Sequence, residues 1–455
     1  MSTSTSRRKF LKQGALAGTG FWVAGGLTAA QNKPAQPGER VNVAVIGSGG
    51  RGGDDLNSVN GTGQANIVAL CDVDEQQAGA AFKKFPKAGR YQDFRVMLEK
   101  QKDIDAVIVA TPDHVHAVAC VTAMRLGKHV YCEKPLCHSV YECRVVKEVA
   151  QRYKVATQMG NQGTAGNGLR TGVEIVQSGA IGDVREVHIW TNRPIWPQNM
   201  NRPKNTTAVP KTLNWDLWLG PAPFRPFNGE PQGGMGNRGP YLPFNWRGWW
   251  DFGTGALGDM ACHTMNLPFM ALRLGYPTSV TAELDTPLHA ESGPMGCRVT
   301  YEFPVRGKLP AVTLKWYERS YPPDKLLQGQ MRGQSGSLMI GSRGTLFSRD
   351  DYGQNNTLLP VADFKSFKNP APTLPRVGGN HHREWIDAIR GGRPAMSNFV
   401  DYAALLAEVV VLGNVAIRCG GKRVVWDAEK MRAVDLPQAD RFIRREYRKG
   451  WNAYL

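Results

Sequence analysis

A chain of 455 residues, 42% of them hydrophobic, can bury a sizeable core, and its length suits two domains or one domain with a large extension. Its formal charge of +17 is scattered along the chain apart from a cluster at 441–449, which excludes the basic stripe of a nucleic-acid-binding module. The eight cysteines contain no C-x-x-C pair and no zinc-finger spacing, so buried free thiols are expected.

The first thirty residues carry Ser6-Arg7-Arg8-Lys9-Phe10-Leu11-Lys12, then an apolar stretch over 14–30 that leaves through Thr28-Ala29-Ala30. An arginine pair, an apolar run and a small-residue exit in that order resemble a twin-arginine signal peptide. The resemblance implies the twin-arginine export machinery as a partner and a periplasmic or otherwise exported protein, folded before export. The stretch 14–30 is the one membrane-like segment expected, and it is short for a transmembrane helix. No stable membrane span is expected after cleavage near Ala30, although an uncleaved anchor is the alternative. Residues 31–40 read as a linker.

From position 41 the chain reads VNVAVIGSGGRGG, an apolar strand that stops in glycines. Gly47, Gly49 and Gly52 fit G-x-G-x-x-G, in which the first glycine permits a sharp turn, the second a close approach of pyrophosphate to backbone, and the third tight helix packing. The amides of the following helix, from Gly50 and Arg51 onward, would face phosphate. A second apolar run over 66–71 ends at Asp72, where an acid accepts from ribose hydroxyls and repels a 2'-phosphate. NAD is therefore expected over NADP, with nearby Arg51 softening that repulsion.

Further strands are predicted over 106–110, 129–132 and 155–159, with helices over 117–126 and 140–153, giving a doubly wound parallel sheet over 41–160. The remainder, 161–455, changes character. Residues 190–252 hold Trp190, Trp196, Trp215, Trp218, Trp246, Trp249 and Trp250, seven of the twelve tryptophans, among many prolines and glycines. Alternating strands over 279–284, 298–303, 311–317 and 337–340 predict a second, mainly antiparallel sheet. Residues 380–418 read as helical, broken at Arg390-Gly391-Gly392-Arg393-Pro394.

Two stretches carry chemistry. Glu133-Lys134-Pro135 follows a parallel strand at its carboxyl end, where ligands bind such sheets. Asp259 and His263 stand four apart in GTGALGDMACH and share one face of a helix, a pairing suited to proton transfer. His114 and His116, after the strand at 106–110, read as a polar helix entrance, and no metal is expected.

The ordered set GSGGRG, CDVD, TPDHVH, CEKP and GDMACH is similar to the Gfo/Idh/MocA family of NAD(P)-dependent oxidoreductases. The resemblance implies an α/β protein with an N-terminal Rossmann sheet and a C-terminal α+β domain built on a large open sheet. That second domain would bind a carbohydrate or cyclitol and often mediates oligomer contacts, so a homo-oligomer is expected. Cofactor contacts are expected from Gly47, Gly49, Gly50, Arg51, Gly52, Asp72, Thr111, Pro112, His116, Glu133 and Lys134. The resemblance makes His263 the acid/base, with Lys134 and Asp259 positioning a substrate hydroxyl, and matches Pro135 to a proline that follows a cis bond. Asn161, Arg193, Trp196, Trp249 and Trp250 are expected near substrate. Gln158-Met159-Gly160-Asn161-Gln162 stands where family members often carry an asparagine-arginine pair. The expected reaction is hydride transfer between a sugar or cyclitol hydroxyl and a tightly bound nicotinamide cofactor. A redox-neutral glycosidase or epimerase is the alternative, since free NAD is scarce outside the cytoplasm.

Overall fold

The computed structural model describes residues 39–234, 238–434 and 436–455. The expected signal peptide lies outside the described residues.

Six parallel strands form the first sheet in the order β3-β2-β1-β4-β5-β6, the doubly wound arrangement. They are β1 (Val41–Ile46), β2 (Ala65–Cys71), β3 (Gly89–Tyr91), β4 (Ala106–Val109), β5 (His129–Cys132) and β6 (Thr157–Met159). Burial on both faces explains why β1 and β4 read as continuous apolar runs rather than alternating ones. Helices α1 (Arg51–Gly61), α2 (Glu75–Lys84), α3 (Phe94–Lys100), α4 (Asp113–Arg125) and α5 (Val140–Tyr153) connect them. Ser139 and Glu142 cap α5 reciprocally, fixing where that helix begins.

The glycine turn is a geometric necessity. Gly47 has φ +80°, and a Cβ on Gly52 would lie 1.8 Å from the Gly47 carbonyl oxygen, so any side chain there would part helix from turn.

The second sheet has nine strands in the order β13-β12-β11-β7-β10-β9-β8-β14-β15, antiparallel except where β10 runs parallel to β7. Its members are β7 (Val184–Thr191), β8 (Ser279–Leu284), β9 (Cys297–Phe303), β10 (Val312–Glu318), β11 (Gly336–Gly341), β12 (Thr345–Ser348), β13 (Asn356–Leu359), β14 (Val424–Asp427) and β15 (Arg432–Val434). Around it lie α6 (Asn167–Gln177), α7 (Trp215–Leu219), α8 (Gly255–Thr264), α9 (Asn266–Ala271), α10 (His381–Ile389) and α11 (Ala404–Arg418). Helix α10 returns to the first sheet, where Trp385, Ile386 and Ile389 join the core of β1 and β4.

Segment Phe399–Arg418 is long and apolar enough to cross a membrane, so the expectation of a single membrane-like segment does not hold. Its apolarity serves the interior. Helix α11 packs against α5, α8 and β8, and its buried Glu408 accepts from Arg144 Nη2 at 2.7 Å. All eight cysteines are buried free thiols.

The tryptophan-rich stretch builds its own small core. Trp215 and Trp218 stack at 4.7 Å, surrounded by Leu219, Tyr241, Trp249 and Phe252. Arg225, almost wholly buried, lies over Tyr241 and Phe252 and pairs with Asp251.

Candidate active site

A cavity of about 620 Å³ opens at the carboxyl ends of β1, β2, β4 and β5. Its floor is the glycine turn with Gly47, Gly49, Gly50 and Arg51; Asp72, Thr111, Pro112, Glu133, Lys134 and His263 also line it. Segments separated by more than two hundred residues thus meet in one space.

Helix α8 starts after Thr254, whose backbone N–H and hydroxyl both donate to buried Asp113 Oδ2, at 3.0 and 2.6 Å. That tie anchors α8 to the head of α4. One face of α8 then presents Asp259 and His263. Lys134 Nζ donates to Asp259 Oδ1 and to the Asp259 carbonyl, each at 2.9 Å. Arg247 Nε donates to the same Oδ1 at 3.0 Å. Burial alone would raise the Asp259 pKa, but the two cations outweigh it and hold the carboxyl well below its usual range. The acid is a fixed negative charge.

His263 is buried, and burial together with the nearby Lys134 ammonium pushes its pKa well below the ordinary imidazole value, against an opposing pull from Asp259. The ring is neutral at working pH. Its Nδ1 has no hydrogen-bond partner among the described residues, and Tyr352 meets it edge-on at 5.1 Å.

At the other end, Asp72 accepts from the backbone N–H groups of Gly49 (3.1 Å) and Asp74 (3.0 Å), while burial raises its pKa to about 6. Arg51 is held by Asp55 at 2.8 Å and Glu133 at 3.1 Å, and Asp55 also faces His382 Nε2 at 3.1 Å. Burial works against the Arg51 cation and the two carboxylates hold it charged. Arg51 thus spends Nη2 and Nε on neighbouring carboxylates.

Other expected residues stand elsewhere. Gly52 packs helix on turn, and His116 lies behind the wall, its ring nitrogens 2.8 Å from the carbonyls of Pro135 and Thr111. The Lys134–Pro135 bond is cis. Asn161 is wholly buried, donating to the Cys262 carbonyl at 3.3 Å and accepting from Ser397. Arg193 lines a separate polar recess with Arg349 and Asp350. Trp196, Trp249 and Trp250 are core residues rather than cavity wall: Trp196 donates to Gln198 at 2.9 Å, Trp249 donates to the Pro240 carbonyl at 2.9 Å, and Trp250 lies under Arg418. Large aromatics in an irregular segment are consumed in giving that segment a core. His114 and His116 share no metal site, and no group of three metal-ligating side chains occurs among the described residues.

The structure adds residues that the motifs did not single out. Arg247 lies between the rings of Phe244 and Trp246, each 4.3 Å from its guanidinium carbon. Trp218 and Arg238, from the tryptophan-rich stretch, and Trp451, from the C-terminal tail, line the cavity together with Asp72 and Phe94, with Arg238 paired to Asp74 at 2.7 Å. Position 247 stands twelve residues before Asp259, a spacing with no meaning until the chain folds back.

A doubly wound sheet, a glycine turn that admits no side chains, and an acid at the end of β2 define a dinucleotide-binding oxidoreductase fold. Residues 41–161 match the NAD-binding Rossmann fold of the Gfo/Idh/MocA oxidoreductase family and residues 174–303 its C-terminal alpha/beta domain. Together they span more than half of the chain, which belongs to this family. An inositol 2-dehydrogenase of Salmonella typhimurium is 32% identical over 154 residues, 32% of this chain and 45% of that protein. A glycosyl hydrolase family 109 protein of Solibacter usitatus is 34% identical over 152 residues, 30% of this chain and 35% of that protein. The chain thus matches less than half of the length of these curated relatives. The WlbA dehydrogenase of Bordetella pertussis, solved with NADH and UDP-GlcNAcA, shares the fold at TM-score 0.59 and 15% identity, over 86% of this chain and 99% of that one.

Proposed function

We propose that this protein binds NAD tightly and transfers a hydride between it and the hydroxyl-bearing carbon of a carbohydrate or cyclitol. The observation that carries this reading is that Lys134 and His263 line the cavity that holds the glycine turn, with Asp259 bonded to Lys134. Gly49, Gly50 and the opening amides of α1 would hold the pyrophosphate, and Asp72 the adenosine ribose. When bound, NAD supplies the hydride acceptor. Neutral His263 takes the hydroxyl proton, and Lys134 steadies the negative charge developing on oxygen. Asp259 fixes the ammonium in place.

A redox-neutral cycle, in which the hydride returns before product leaves, draws support from the side chains of Trp218, Arg238 and Trp451 that line the cavity with Asp72. A cofactor gripped by several side chains is better suited to being reused than exchanged. The export expected from Arg7, Arg8 and the apolar stretch behind them agrees with that economy.

The test offers the purified protein sugars, cyclitols and aryl glycosides with and without added NAD. Net dehydrogenation gives stoichiometric NADH absorbance; a redox-neutral cycle gives aglycone or epimer with no net NADH. A protein that does neither, while carrying NAD, would reject the catalytic reading.

A further inference from the structure

Trp451 reaches the cavity from a segment that no sequence motif marks, and its approach is built rather than incidental. Arg445 pairs with Glu142 at 2.7 Å, and the Tyr447 hydroxyl donates to the same carboxylate at 2.8 Å, which ties the segment to the head of α5. Three residues after Arg445, Arg448 donates its backbone N–H to the Pro221 carbonyl at 3.0 Å, Nε to the Gly220 carbonyl at 2.9 Å and Nη2 to the Asp216 carbonyl at 2.8 Å. Those bonds satisfy carbonyls at the end of α7 that the helix leaves open. Trp451 follows within one turn, its N–H on the Arg448 carbonyl at 3.0 Å.

Its neighbours fix which end of the cavity it reaches. Asp72, the acid placed to meet the adenosine ribose, donates its backbone N–H to the Tyr91 carbonyl at 3.0 Å, so the residues that follow β3 stand beside it. Among them, Phe94 lies 6.2 Å from the Trp451 ring, and Arg95, held by Asp93, rests 4.4 Å from it. A Cβ on Gly220 would come 3.3 Å from Val115 Cγ2 and 3.9 Å from Trp451 Cη2, which brings the head of α4 close to the same indole. Phe94, Val115, Leu217, Trp218 and Trp451 thus give the wall near Asp72 an apolar section drawn from four separate segments.

Apolar surface in a cavity lined elsewhere by charged and polar groups is costly to leave in water, and a ligand with an apolar face removes that cost. Beside an acid that binds ribose, the fitting group is a nucleobase, which is flat, apolar on its faces and joined directly to the sugar. Resting on the dinucleotide reading above, we infer that residues 445–451 are part of the nucleotide site, and that Trp451 forms part of the wall against which the adenine base lies. Cofactor affinity then depends on a segment outside the Rossmann sheet.

ADP-ribose, which carries the adenosine half of the cofactor, and nicotinamide mononucleotide, which carries the other half, are the probes. In calorimetric titration of the nucleotide-stripped protein, Trp451→Ala should weaken ADP-ribose and NAD alike by at least about fivefold, while Trp451→Phe, which keeps an aromatic wall, should weaken them by less than about threefold. Nicotinamide mononucleotide should bind both variants as it binds the unmodified protein. Should Trp451→Ala fail to fold, hydrogen exchange in the unmodified protein decides: ADP-ribose should slow the amides of 445–452, and nicotinamide mononucleotide should not. Unchanged ADP-ribose affinity in a folded Trp451→Ala, an equal loss for both halves, or no slowing of 445–452 by ADP-ribose would each overturn the inference. An unmodified protein that binds neither NAD nor ADP-ribose would instead defeat the dinucleotide reading itself.

Discussion

Lys134 Nζ donates to both the carboxylate and the backbone carbonyl of Asp259, at 2.9 Å each, so the ammonium is fixed in direction as well as charge. One contact alone would leave the lysine free to swing. Lys134→Met removes the charge while roughly keeping the stem, and turnover should fall by about 10²- to 10⁴-fold. Bound nucleotide, quantified by absorbance after denaturation, should stay near one per chain.

His263 titrates below the ordinary imidazole range because burial and the Lys134 ammonium disfavour its charged form. The proton acceptor is then competent through mildly acidic pH, and it is lost only where the ring finally charges. The acid limb of kcat/KM should lie below pH 6.5, the ordinary imidazole value. His263→Ala should abolish that limb along with about 10²-fold or more of the rate.

Asp72 is raised to about 6 by burial, even though two backbone N–H groups support its ionised form. Below that pH the protonated acid accumulates and accepts more weakly from ribose hydroxyls. Affinity for NAD should therefore weaken as pH falls through about 6, and Asp72→Asn should flatten the dependence while weakening binding at neutral pH. Titration of the nucleotide-stripped protein across that range measures both.

Two distant segments contribute to the cavity lining, Arg238 on Asp74 at 2.7 Å and Trp451 stacked with Arg95 at 4.4 Å. Arg238→Ala combined with Trp451→Ala should speed nucleotide release at least about tenfold without altering the glycine turn. Stopped-flow displacement with excess unlabelled NAD reads the rate.

Much of this architecture was legible before folding. Strand 129–132 and helix 140–153 have the bounds that periodicity predicts, because β5 is a short apolar run and α5 opens with a capping box at Ser139 and Glu142. Strand β3 escaped notice, since three half-exposed residues carry no apolar signal. The site was half legible. Lys134, Asp259 and His263 stand out through local spacing, whereas Arg247, Tyr352 and Trp451 reach the cavity only through tertiary folding. The tryptophans misled for a physical reason: Trp249 is wholly buried and serves the core of its own segment, while its neighbour Trp246 reaches the cavity wall.

That contrast is measurable. Trp249→Ala should cost about 3–5 kcal/mol in denaturant unfolding, as for other large buried aromatics. Trp246→Ala should cost far less stability and act instead on turnover, by loosening the Arg247 guanidinium that rests 4.3 Å from its ring.

The central claim is that a dinucleotide occupies the cavity into which Lys134 and His263 project. Native mass spectrometry of the purified protein tests it most directly. One NAD per chain is expected, retained through buffer exchange and lost in a Gly49→Trp variant, whose Cβ would lie 2.5 Å from the Gln77 carbonyl oxygen and force the glycine turn out of place. A folded, unmodified chain that carries no dinucleotide and takes none up from excess NAD would contradict the account.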